Sequence, residues 1–207
     1  MLKKSCQKLN SRIGASIGEM LVCVLILLLA SSALVTGVTL ASNNFEKSFS
    51  SSQAQTICST LMAAVEGELR YTDGVTVTKG TDYKVAGTDG SKYGGGAVKS
   101  FTFKSVEHAG YTVYFGQDDD GRVVLADTNK EAVIKTYDLV APGTYSHNLQ
   151  ASVTVNTIKT KKVGDTIKAT SFNVTISITR SNGDVVDSAT FDVIPVDHPE
   201  VTEKSAE

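Results

Sequence analysis

Three consecutive aspartates, Asp118, Asp119 and Asp120, stand between Gln117 and Gly121 and could offer oxygen ligands to calcium. They lack the spacing of an EF-hand loop and bring no distant ligand with them, so a solvated hairpin turn is the favoured reading. Lys159, Lys161, Lys162 and Lys168 flank a second turn and could attract nucleic acid, but a net charge of −2 argues against a surface that neutralises many phosphates. Lysines also discourage pairing at sheet edges, which is the preferred role here. His108, His147 and His198 are dispersed and fit no metal or nucleophile motif. An enzyme would need two of them to meet a carboxylate in one deep pocket, so no catalytic site is expected. The glycines of TDGSKYGGG neither follow a strand nor open a helix, so they do not read as a phosphate loop, and no cofactor is predicted.

The most specific chemistry lies near the start of the sequence. Lys3, Lys4, Lys8 and Arg12 precede the run RIGASIGEML, in which Glu19 is the fifth residue after Gly14. From Met20 to Leu40 no residue is charged. As a helix this stretch would span roughly 31 Å, the thickness of a bilayer core. The basic flank keeps the first residues cytoplasmic and sends the rest of the chain out. A cleaved secretory signal would explain the basic start, with Thr39 and Ala41 as small residues at the cut, but the apolar run is too long for one and opens on a carboxylate. A plain single-pass anchor would explain Glu19 through the helix dipole, but not Gly14.

Gly14, Glu19, the apolar helix and the topology together resemble the processing signal of type IV pilins and of type II secretion and competence pseudopilins. The resemblance covers residues 1–45. It implies that a prepilin peptidase cuts between Gly14 and Ala15 and methylates the new amine of Ala15. It also implies that Glu19 guides assembly with other pilin subunits through a membrane platform, the lipid bilayer holding the subunit beforehand. Ala15 stands where the family usually has Phe, which leaves methylation open. No proline occurs before Pro142, whereas many family members kink this helix with one. Gly37 is then the expected weak point of the helix. Small residues at Ala30, Ser31, Ser32, Ala33 and Gly37 would let neighbouring helices approach closely. The implied product is a pilus subunit; a tethered adhesion domain that never polymerises and a secretion pseudopilin are the alternatives.

The elements that must carry this chemistry follow from periodicity. Phe45, Phe49, Ile57, Cys58, Leu61, Val65 and Leu69 recur mainly at helical spacing, and Asp73-Gly74 reads as the stop. Phe101 and Phe103, then Tyr111, Val113 and Phe115, alternate with other residues as strands do. Phe172, Val174, Ile176 and Ile178 do so most clearly. Asn182-Gly183 predicts a type I′ hairpin, and Val163-Gly164-Asp165 a second turn. The fold class expected is α+β, pilin-like: a leader at 1–14, a membrane or filament-core helix at 15–40, an amphipathic helix at 41–72, an antiparallel β-sheet head at 73–196 with a flexible connection at 81–96, and a fraying tail at 197–207. With Cys23 and Cys58 roughly 50 Å apart along one helix, no internal disulfide is expected. A head without one must be held by its apolar core, and the lack hints at a reducing or anaerobic setting.

Overall fold

A computed structural model describes residues 17–80, 94–106, 108, 111–129, 132–145 and 148–204. One helix, α1, runs from Ile17 to Arg70, 54 residues without a break. Among the described residues nine strands follow: β1 (Thr72–Lys79), β2 (Gly94–Ser105), β3 (Thr112–Gln117), β4 (Val123–Asn129), β5 (Ala132–Asp138), β6 (Leu149–Val163), β7 (Thr166–Arg180), β8 (Val185–Val193) and β9 (Glu200–Lys204). The chain divides into two compact units, residues 1–48 and 49–207.

Within the first unit, the described part of α1 is apolar all round from Met20 to Leu40, and its large side chains are all more than half exposed, from Leu25 at 53% to Leu34 at 70%. Its hydroxyls turn inward on the helix itself. Ser31 Oγ donates to the Leu27 carbonyl at 2.7 Å, Thr36 Oγ1 to Ser32 at 2.9 Å and Thr39 Oγ1 to Val35 at 2.8 Å. Such back-bonding leaves no hydroxyl seeking an outside partner, as residence in lipid requires. The segment is long and apolar enough to span a bilayer.

In the second unit, the same helix has one stripe turned to a core. Ala54, Ile57, Leu61, Val65 and Leu69 are fully buried, with Cys58 beside them. They form one cluster with Val75 and Val77 of β1, Phe103 of β2, Val113 of β3, Leu125 of β4, Ile158 of β6 and the row Phe172, Val174, Ile176 and Ile178 of β7. The apolar alternation of β7 is therefore an inward face, as expected. Cys58 is unpaired, and burial pushes its thiol pKa up, so it acts as a small core residue. Phe45 and Phe49, expected on this stripe, are 72% and 42% exposed; Ser50 and Ala54 occupy the continuation of the buried row instead.

The α+β class holds, but the sheet is mixed rather than antiparallel: β1 and β9 run parallel from Gly74↔Glu200 to Thr78↔Lys204. The pairings close a circuit through β1, β2, β6, β7 and β9, with β8 added to β7 and the β3–β4–β5 meander added to β2. Residues 200–204 are thus a paired strand with Val201 only 5% exposed, which corrects the expected fraying tail over these residues; 205–207 lie outside the described residues. The helix ends at Arg70, whose carbonyl accepts from Val196 N at 3.0 Å, and the next strand begins at Thr72. Asp73-Gly74 is accordingly not a stop. It falls at an irregularity inside β1, where the register skips from Thr72↔Ser105 to Gly74↔Lys104.

Two turn expectations are also revised. Of the connection expected at 81–96, residues 81–93 lie outside the described residues, while Gly94, Gly95 and Gly96 open β2 and pair with Thr160, Lys159 and Ile158. Gly95 has φ of 101°, and a Cβ there would lie 1.6 Å from the Ile158 carbonyl oxygen, so only glycine lets these backbones meet. The β7–β8 hairpin forms at Asn182-Gly183, but Asn182 is not in the left-handed region and only Gly183 is, with φ of 88°. Gly183 N donates to the Arg180 carbonyl at 2.8 Å and Arg180 N to the Asp184 carbonyl at 2.9 Å, a three-residue loop rather than a type I′ turn.

Candidate functional site

Glu19 lies in the first turn of α1, immediately before the apolar run, where the partial positive charge of the helix N-terminus favours a carboxylate. Gly14 and Ala15, the expected processing residues, lie outside the described residues. Gly37 sits within the unbroken helix with nothing within 4 Å of the place a Cβ would occupy. The carboxylate and the apolar segment thus belong to the helix whose last turns form part of the head's core.

The aspartate run is a tight turn between β3 and β4. Asp118 Oδ1 accepts from the backbone N–H groups of Asp120 at 3.1 Å and Arg122 at 2.7 Å, and Asp118 Oδ2 accepts from Arg122 Nε at 2.8 Å. Arg122 Nη2 also donates to Asp120. The guanidinium stands where a bound cation would have to, so the oxygens serve the turn. No group of three or more ligating side chains suited to a metal occurs among the described residues. Gln117 Nε2 ties the turn to β6 by donating to the Ala151 carbonyl at 3.1 Å. Arg122 was not singled out from the sequence; its signal is a cation separated from a run of acids by a single glycine, Gly121.

Partial burial works to raise the Asp118 pKa, but the backbone N–H and guanidinium of Arg122 and the N–H of Asp120 outweigh it and leave it lowered. A carboxyl group with a folded pKa below its unfolded one contributes stability above the unfolded pKa and loses it as pH falls through the folded one. Asp118→Asn should therefore flatten the acid limb of head stability, with the difference from wild type vanishing at pH values below the ordinary aspartate range. Thermal unfolding followed across an acid pH series measures this.

The lysine group and the histidines are distributed otherwise. Lys159 Nζ donates to Asp192 at 3.3 Å, and Asp192 also accepts from Asn173 at 2.6 Å. Lys161 and Lys168 face each other across the β6–β7 hairpin. His108 Nδ1 lies 3.0 Å from Asp127 Oδ1, with its ring edge-on to Tyr137 at 4.7 Å. Asp127 is nearly fully buried on β4, so this pair fastens the connection between β2 and β3. His198 lies in the connection between β8 and β9 with φ of 47°, and His147 lies outside the described residues. The structure therefore does not bring His108 and His198 together with a shared carboxylate among the contacts described.

No family model, curated protein or solved structure matches this chain. Its function must be argued from the residues themselves.

Proposed function

We propose that this chain is the precursor of a type IV pilin-like filament subunit, cleaved after Gly14, held in the membrane by the first part of α1 and assembled with other copies through it. The observation that carries the reading is a single helix whose apolar first part bears one carboxylate, Glu19, at its start, and whose last turns form part of the core of a β-rich head. Such a helix supplies both an anchor in lipid and a handle for the head. Once subunits leave the bilayer, the exposed apolar side chains of residues 20–40 can be covered only by other apolar surface, which helices of neighbouring copies would provide. The lone carboxylate then needs a cation, and the amine of Ala15 created by cleavage is a suitable one.

The test is the mature N-terminus and its location. Mass spectrometry of the membrane and sheared-filament fractions should find chains that begin at Ala15 in both. Gly14→Leu should insert normally but remain uncleaved and absent from filaments, because the anchor is unchanged while the peptide at the cut gains a bulky side chain. A mature chain that begins at Ser42 would instead identify a secretory signal. Filaments that form without the chain, while it stays wholly in the membrane, would favour a tethered binding domain.

A further inference from the structure

The sheet opens where β2 leaves β6. Their pairing runs only from Gly94↔Thr160 to Ala97↔Thr157, and β2 next meets β3 at Phe103↔Val113. Beside this gap lies a cavity of about 160 Å³, whose lining includes Val98, Lys99 and Phe101 of β2, Phe115 of β3, and Val153 and Val155 of β6. The edges of three strands thus border one space.

Backbone alternation shows what those edges present. Ala151 N donates to the Gly121 carbonyl at 2.8 Å, so Ala151 turns its backbone groups away from β7. The β6–β7 register is unbroken from Leu149 to Val155, so Val153 and Val155 turn theirs the same way, toward the cavity they line. On β3, Asp118 N donates to the Arg122 carbonyl at 3.0 Å, and the β3–β4 register is unbroken up to Gln117. Alternating back from Asp118, Phe115 directs its N–H and C=O away from β4 and toward the same space. Among the described residues, no hydrogen bond takes up these groups of Val153, Val155 and Phe115. Main-chain donors and acceptors within a sheet call for partners, which a neighbouring strand would ordinarily supply.

We propose that this cavity receives an extended peptide segment of a partner protein, one that alternates apolar and polar residues and ends in a carboxylate. Val153 and Val155 present N–H and C=O pairs about 7 Å apart along one edge, the two-residue repeat of a strand, which an extended backbone matches. Val98, Phe101 and Phe115 supply apolar walls for its alternate side chains. Lys99 is exposed at the cavity and forms no ion pair among the described residues, so its ammonium is complementary to the terminal carboxylate. Among the described residues, no acidic side chain lines the cavity to compete for it. Such binding is a property of the head and does not depend on what the first part of α1 does in the membrane.

The probe is a fluorescent peptide, Val-Thr-Val-Thr-Glu with a free C-terminal carboxylate, titrated against the full chain in detergent. Saturable binding is expected, read by anisotropy. Amide hydrogen exchange, followed by nuclear magnetic resonance, should slow about tenfold or more at Val153, Val155 and Phe115 when the peptide saturates the chain. Ser152 and Thr154 should not change, because their backbone groups already face β7. The same peptide N-methylated at its internal residues keeps every side chain but loses its backbone donors, and should bind about tenfold more weakly. Lys99→Glu should weaken the unmodified peptide by about as much, with unchanged thermal unfolding, and should instead favour a version that ends in lysine amide. No saturable binding, equal affinity of the methylated peptide, equal affinity of Lys99→Glu, or equal slowing at paired and unpaired amides would overturn the proposal.

Discussion

Glu19→Ala is expected to enter the membrane and be cleaved at wild-type levels, yet to fall by two orders of magnitude or more in sheared filaments. On insertion scales a carboxylate at the bilayer centre costs about 3 kcal/mol, so removing it can only favour the anchor. A failure of assembly could not then be blamed on insertion. In the filament the carboxylate would be enclosed by apolar helices and paired with the Ala15 amine of a neighbour. Breaking one side of a buried pair costs about 3–5 kcal/mol, equivalent to roughly 100-fold or more in an association constant. The measurement is the ratio of mature chain in the filament fraction to that in the membrane fraction, for both versions. Equal ratios would exclude the pairing while leaving the fold untouched. Glu19→Asp should recover part of the loss, because charge is retained on a shorter side chain.

Phe172→Ala is expected to destabilise the head by about 3–5 kcal/mol, the range for deleting a fully buried aromatic side chain. Phe172 is 0% exposed and meets Phe101 edge-on at 5.7 Å. It belongs to the cluster that joins α1 to the sheet, on the strand that pairs with β6, β8 and β9. No small shift of the backbone can refill the space, because β7 is held at Ile158 on one side and Val193 on the other. With domains stable by only about 5–15 kcal/mol, such a loss would lower the unfolding temperature sharply. Ile194→Ala, at a position 64% exposed, should change stability by less than about 0.5 kcal/mol. Thermal unfolding of the full chain in detergent, followed by near-ultraviolet circular dichroism, compares the two. Similar shifts for both would mean that Phe172 does not hold the core.

The sequence by itself determined the features that depend on near neighbours. An uncharged run followed by apolar residues at helical spacing yields a helix to Arg70, within two residues of the expected end. The alternation at Phe172, Val174, Ile176 and Ile178 marks an inward strand face because successive side chains on a strand point to opposite sides. The hairpins at Gly164 and Asn182-Gly183 are legible because turn chemistry acts over four residues. Glu19 is visible as an anomaly because a charge at the edge of an apolar helix has a local cost.

Tertiary structure alone decided what depends on residues far apart in the chain. Polar EVTEK carries no local strand pattern beyond Val201, and it becomes β9 only because β1 offers an open edge more than a hundred residues earlier. Three glycines disfavour a strand locally, yet Gly95 fits one because the Ile158 backbone approaches too closely for any side chain. Whether Phe49 or Ala54 faces the core is set by where the sheet begins to cover the helix, which periodicity cannot locate.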